Sequence, residues 1–340
     1  MVIISLTLVS CKANQLSRYE AQFLSLFDTV TTIIGYDESE QDFREKVQII
    51  HDDLEQYHKL YDIYNDYEGI NNIKAINDNA GIAEVKVDKK IIDLLIFSKE
   101  MYKKTDGYVN IAFGSVLRIW HDYREKNIDD SEFAEIPTIE ELKKAVVYTD
   151  ISKLIIDEEK QTVYIADDKM RLDVGAIAKG YAVQKVVDSA RERGLKSFLL
   201  NVGGNVGSIG AKPDGKTWTV GLQNPKLDEN KPYVFKVMLD TECLVSSGNY
   251  QRYFMLDGVR YHHIINKDTL MPSNYFDAVS IICEDSGLAD ALTTALYNMS
   301  YEDGLKLLSK FENVEAVWNF ADETVKYTEG FEKYIGTEKK

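Results

Sequence analysis

Leu172-Asp173-Val174-Gly175-Ala176-Ile177-Ala178-Lys179-Gly180-Tyr181 is the stretch on which the reading of this chain turns. It predicts a strand end that presents Asp173, a glycine that frees the backbone at Gly175, and a helix with Lys179 in its first turns. Helix N-termini carry unpaired N–H groups and positive potential, which suit phosphate, and a lysine there adds a full charge. The spacing is neither a Walker loop nor a dinucleotide fingerprint. Read alone, it is equally a capped strand-to-helix turn with a solvated lysine.

Three further segments follow it. Asn201-Val202-Gly203-Gly204-Asn205-Val206-Gly207-Ser208-Ile209-Gly210 places four glycines in eight residues behind an apolar run. This reads as tight backbone geometry, and by itself more often as a hairpin turn than as a cofactor loop. Val245-Ser246-Ser247-Gly248-Asn249-Tyr250 precedes Tyr261-His262-His263-Ile264-Ile265-Asn266. Adjacent histidines on a strand face opposite sides, so one at most enters a site. A neutral imidazole there can serve as a general base, or simply pack with a satisfied ring nitrogen. Asp285-Ser286-Gly287-Leu288-Ala289-Asp290-Ala291-Leu292-Thr293-Thr294-Ala295-Leu296 reads as a capped helix with Asp290 and Thr294 one turn apart on one face. A carboxylate beside a hydroxyl offers hard oxygen ligands of the kind Mg²⁺ takes; the same pair also fits the polar edge of an ordinary amphipathic helix.

Upstream, residues 23–36 are β-branched and aromatic and predict a strand, after a polar tether at 12–20. Phe43, Val47, Ile50, Leu54, Tyr57 and Leu60 recur at helical spacing and predict a helix over 39–64, with a second over 89–105. The charged run 121–137, ending at Pro137, reads as a surface excursion. A short helix over 138–145 has Thr138 as N-cap and Glu141 at the capping-box position. Strands are expected at 153–156, 161–166, 198–202, 217–222, 233–239 and 314–319, and helices at 177–193, 286–299 and 301–310. Strands arrive in runs rather than alternating with helices, which predicts an α+β fold of mixed, mainly antiparallel sheets with packed helices.

The chain has 340 residues and a formal net charge of −16. A surface that acidic repels nucleic acid phosphates, so no nucleic acid partner is expected. Cys243 and Cys283 lie in apolar runs and read as buried thiols; a disulfide between them has no support in the sequence. The opening run ends Leu8-Val9-Ser10-Cys11, which resembles a bacterial lipobox. It predicts a signal over 1–11, a lipid anchor at Cys11, and a cell-membrane protein on the extracytoplasmic face, with the folded domain over 21–337.

Taken in order, Leu-Asp-Val-Gly-Ala-Ile-Ala-Lys-Gly-Tyr-Ala, Asn-Val-Gly-Gly-Asn, Ser-Ser-Gly-Asn-Tyr, Tyr-His-His-Ile-Ile and Ala-Asp-Ala-Leu-Thr-Thr-Ala resemble the FAD:protein FMN transferases, the ApbE family. The likeness extends upstream to Phe27-Asp28-Thr29, to Tyr67 through Asn71 with Asn77, and to Gly107 through Trp120. The resemblance implies an enzyme that moves FMN from FAD to a Ser or Thr of another protein with release of AMP. It implies Mg²⁺ held by Asp290, Thr294 and the main-chain carbonyl of Ala176. It implies an FAD pocket containing Tyr67, Asp173, Lys179, Ser247 and His263, with His263 and Asp173 as candidate catalytic groups. The implied acceptor is a flavoprotein of membrane or extracytoplasmic electron transfer. The alternatives are a Mg²⁺-dependent FAD pyrophosphatase and a flavin-binding surface lipoprotein. The chain departs from the family pattern after Ile265, where Asn266-Lys267-Asp268-Thr269-Leu270 stands in place of Asp-Pro-x-Thr-Gly.

Overall fold

The structure is a computed structural model that describes residues 16–24, 26–129 and 134–336. The chain enters through β1 (Ser17–Leu24), turns at Leu26–Asp28, and returns antiparallel in β2 (Val30–Asp37). The single strand expected at 23–36 is therefore two. Phe27 and Asp28 both hold positive φ (54° and 52°), a conformation that stops an extended chain. Strand β1 begins inside the segment read as a tether, because residues 17–20 pair with β2. The part of that segment up to residue 15, and Cys11 before it, lie outside the described residues.

Ser39 caps α1 (Glu40–Tyr61) by accepting from the Asp42 N–H, and the acidic first turn suits the helix dipole. Its apolar stripe, Phe43, Val47, Ile50 and Leu54, is buried against Ile33, Phe198 and Leu200. Next come α2 (Ile73–Asp78), β3 (Val85–Lys86), α3 (Lys89–Lys104), α4 (Gly114–Asp129) and α5 (Ile139–Val146). Helix α4 corrects the reading of 121–137 as an excursion: its charged outer face hides an inner one, and Val116 and Trp120 are buried. Thr138 caps α5 through the Glu141 N–H, as expected.

The remainder is β4 (Leu154–Asp157), β5 (Thr162–Ile165), α6 (Ala178–Glu192), β6 (Phe198–Val202), β7 (Asn205–Ile209), β8 (Trp218–Gln223), β9 (Tyr233–Leu239), β10 (Cys243–Gly248), β11 (Tyr253–Leu256), β12 (Val259–His262), β13 (Ala278–Cys283), α7 (Ser286–Tyr297), α8 (Tyr301–Leu308), β14 (Glu315–Asn319) and β15 (Val325–Tyr327). Eight strands form one sheet in the order β1-β2-β6-β7-β10-β13-β14-β15, each pair antiparallel. The fold is α+β, as the runs of strands predicted.

Alternation along the central strands sorts the core. Val245 and Ile281 face α6 and α7, while Leu244 and Ile282 face the β8–β9 ribbon and the turn at Glu329–Tyr334. The glycine-rich segment is a strand hairpin, β6–β7. Gly203 takes φ 52° there, and a Cβ would collide with Thr29. Cys243 and Cys283 are Cα partners across β10 and β13, free and buried. Among the described residues no helix is long and apolar enough to cross a membrane.

Candidate active site

A cavity of about 470 Å³ opens where one end of the sheet meets α4, the start of α6, α7 and the β11–β12 hairpin. That size lies in the range of small-molecule sites. Asp173, Lys179, Ala176, Ser247, His263 and Thr294, all singled out in the sequence, line it together. They come from four chain segments, which is why no single motif was decisive.

Asp173 does not end a strand. It sits on an irregular segment that Asn77 fastens, donating to the Leu172 carbonyl (2.9 Å) and accepting from its N–H (2.7 Å). The Asp173 N–H goes to the Ile111 carbonyl (2.8 Å), and its Oδ1 accepts from Gly175 (2.8 Å). Burial raises its pKa, opposed by that bond and by nearby cations.

Helix α6 starts without a side-chain cap. The N–H of Gly180 would ordinarily reach the Ala176 carbonyl four residues back. It donates instead to Oδ2 of Asp290 (2.8 Å). Among the described residues the Ala176 carbonyl therefore has no donor, and Ala176 lines the cavity. Asp290 lies behind the cavity wall, 5 % exposed; burial raises its pKa against the pull of Lys179. Thr294, one turn along α7, lines the cavity with its hydroxyl unpartnered among the described residues. The carboxylate and hydroxyl on α7 and the carbonyl just before α6 are hard oxygens. This donor set suits Mg²⁺, which takes few protein ligands and completes its shell with water and phosphate.

The packing that creates this arrangement depends on Gly180. A Cβ there would fall inside van der Waals contact of the Ser286 carbonyl oxygen and Asp290 Cβ. Gly180→Ala is expected to lower unfolding free energy by about 1–3 kcal/mol, the usual cost of overpacking. Urea denaturation checks this; a neutral result would mean that α6 and α7 can separate without cost.

Lys179 has no ion-pair or hydrogen-bond partner among the described residues, and burial lowers its pKa. Ser247 donates to Thr293 Oγ1 (2.9 Å), which donates to the Asp290 carbonyl (2.9 Å), so β10 helps fix α7.

The two histidines are held differently, although both line the cavity, against the expectation that one at most would. His262 is buried, with Nε2 2.7 Å from the Ser273 carbonyl and Nδ1 accepting from the Ile264 N–H (3.2 Å). A carbonyl only accepts, so Nε2 carries the proton and both nitrogens are satisfied. His263 sets Nδ1 3.3 Å from the Arg252 carbonyl, so Nδ1 holds its proton. That leaves Nε2 as a lone-pair base without a partner among the described residues. Burial, and then the Arg252 charge, lower its pKa to about 3.

Tyr67 is not in the cavity wall. Its hydroxyl donates to Asp62 Oδ2 (2.8 Å) and meets His58 Nε2 at 3.4 Å, while His58 Nδ1 accepts from the Phe27 N–H (3.2 Å). Tyr67 thus braces the wall from behind. Among the aromatic groups that line the cavity, Tyr64 and His121 pair with ring centroids 5.0 Å apart. Burial pushes the Tyr64 hydroxyl up to about 12. Tyr64 lay three residues before the quoted motif, within reach of a closer alignment. His121 and Arg124 were missed because 121–137 was read as a surface excursion, and Trp120 stood at the end of the quoted likeness without a role.

Residues 27–318 match the sequence model of the ApbE family. A relative in Treponema pallidum, called FAD:protein FMN transferase, is 33% identical over 76% of this chain and 73% of its own length. A protein of the same name in Klebsiella pneumoniae is 30% identical over 72% of this chain and 74% of its own length. The crystal structure of the ApbE protein of Thermotoga maritima superposes with a TM-score of 0.80 at 26% identity, covering 94% of this chain and all of that one.

Proposed function

The chain belongs to the ApbE family, and on that premise we propose that it is an FAD:protein FMN transferase that uses Mg²⁺, releases AMP and modifies a Ser or Thr of an acceptor flavoprotein. The observation that carries this reading is the diversion of the Gly180 N–H to Asp290. It leaves the Ala176 carbonyl without a donor among the described residues at the start of an uncapped helix, and Ala176 and Thr294 line one cavity. Asp290, Thr294 and Ala176 would hold the ion, which when bound neutralises pyrophosphate charge. Tyr64 and His121 offer an aromatic wall for a flat ring system.

The remaining steps belong to the chain's own groups. Nε2 of His263 takes the proton of the acceptor hydroxyl. The hydroxyl oxygen attacks the phosphorus that carries the FMN ester, and the bond from that phosphorus to the AMP phosphate oxygen breaks. Lys179 stabilises charge that gathers on the phosphate oxygens. Arg252 holds the His263 ring in the required tautomer through its carbonyl. Incubation with FAD and an acceptor should release AMP in Mg²⁺ and none in excess EDTA. Release at equal rates in both would remove the ion from the reading.

Because His263 is already neutral above about pH 3, it needs no deprotonation to act. His263 should therefore contribute no step to kcat/KM through the ordinary histidine range, from about pH 7.5 down to about pH 5. A limb with a midpoint near pH 6.5 that vanishes in His263→Gln would contradict the geometry given for its ring.

We propose also that Cys11 carries lipid and anchors the protein on the extracytoplasmic face, where an acceptor of membrane electron transfer would be met. Cys11→Ser should shift the protein out of the membrane fraction. Retention there would exclude the anchor.

A further inference from the structure

Arg252 and His263 face each other across the mouth of the β11–β12 hairpin. Tyr253 and His262 are Cα partners, and one step outward the His263 N–H donates to the Arg252 carbonyl (3.1 Å). Directly opposed residues of an antiparallel pair project to the same face. The Arg252 side chain therefore shares the cavity side with the His263 ring, and both line the cavity. The hairpin's other face takes Arg260, which donates to Asn249 Oδ1 (2.9 Å) and stacks over Tyr253 at 4.5 Å.

The cations that line the cavity are unequally employed. Arg124 pairs with Glu125, and Lys267 with Asp268. Among the described residues the Arg252 guanidinium has no carboxylate partner. It makes only two long hydrogen bonds, to the carbonyls of Phe27 (3.3 Å) and Asp28 (3.4 Å). Both carbonyls belong to the positive-φ turn between β1 and β2. A guanidinium has five N–H donors in a planar fork that matches phosphate oxygens, and neutral carbonyls at such lengths hold it weakly.

We propose that Arg252 is a further catalytic residue: its guanidinium parks on the Phe27–Asp28 turn in the free enzyme and engages the phosphate oxygens of the substrate during transfer. The proposal rests on the transferase reading above. It gives the site a second cation besides Lys179, on the hairpin that also carries the base, so one element delivers both the proton acceptor and a charge that follows the transferring phosphorus. The charge of Arg252 already reaches Lys179 and His263, drawing the pKa of each further down, and Asp173, where it opposes the rise that burial imposes.

The test compares Arg252→Gln, Arg252→Lys and Arg260→Gln with the wild type, each checked by thermal melting. Loss of one transition-state donor costs about 10²–10³ in kcat. Arg252→Gln should lose that much AMP-forming kcat, with FAD affinity, read by flavin fluorescence, changing less. Arg252→Lys should recover part of the loss, and Arg260→Gln should match the wild type. A kcat for Arg252→Gln within about threefold of wild type, or a loss confined to KM, overturns the proposal. A second arm needs no turnover: titration with inorganic pyrophosphate and Mg²⁺ by calorimetry. Arg252→Gln should bind about tenfold more weakly than the wild type, and equal affinity overturns the assignment. A wild-type enzyme that releases no AMP would refute the transferase reading, and Arg252 is then decided by the pyrophosphate arm alone.

Discussion

Asp290→Asn is expected to cut turnover by about 10³-fold or more while leaving the melting temperature close to that of the wild type. The carboxamide oxygen can still accept the Gly180 N–H, so the contact between α6 and α7 survives. What is lost is the negative charge that would hold the divalent ion, and several kcal/mol of transition-state stabilisation with it. Asp290→Ala should lose the same activity and also stability. It strands the Gly180 N–H in a buried contact, at a cost of about 1–3 kcal/mol. The polar edge of an amphipathic helix, one of the two readings the sequence allowed, would leave this carboxylate exposed and its removal without cost to the fold. Its 5 % exposure reverses that expectation. AMP-release kinetics and thermal melts on the two variants separate the effects. An Asn variant within about tenfold of wild-type activity would take the carboxylate out of the chemistry.

His263→Ala should slow transfer by about 10²–10⁴, the range for loss of a general base, with flavin affinity changing less. His262→Ala should do the reverse. Its ring is buried edge-on to Tyr297, and both nitrogens are bonded within the hairpin and the loop behind it. Its loss leaves the Ser273 carbonyl and the Ile264 N–H unpaired, so the expected cost is stability, on the order of 2 kcal/mol or more. Turnover per folded molecule should stay near normal. Single-turnover rates and urea denaturation on both variants decide this. A catalytic loss in His262→Ala with an active His263→Ala would invert the assignment.

Much of this could be read from the chain because the decisive residues lie in elements with strong local signals. The α1 stripe follows helical spacing, and the apolar runs of β6, β9 and β14 are bounded by turn residues. The α7 stretch from Asp290 to Thr294 sits behind an evident cap at Asp285. Other features depend on tertiary contacts that leave no local trace. The polar surface of α4 disguised a helix whose inner residues build a cavity wall. The break between β1 and β2 rests on two non-glycine residues at positive φ, which nothing in Leu26-Phe27-Asp28 announces. Tyr67 was assigned to the pocket and proves to brace it, because its hydroxyl has a nearer partner in Asp62. Arg252 stood next to quoted motifs yet drew no attention. That no carboxylate among the described residues pairs with it is a fact about the folded hairpin.

The central claim is that FMN leaves FAD for a hydroxyl of another protein rather than for water. The most direct measurement is the intact mass of a candidate acceptor, with its Ser/Thr site mapped by peptide fragmentation, after incubation with this protein, FAD and Mg²⁺. The account predicts an acceptor heavier by one FMN unit on a single Ser or Thr, in step with AMP released. Stoichiometric AMP with free FMN and an acceptor of unchanged mass would contradict it and make the chain a hydrolase.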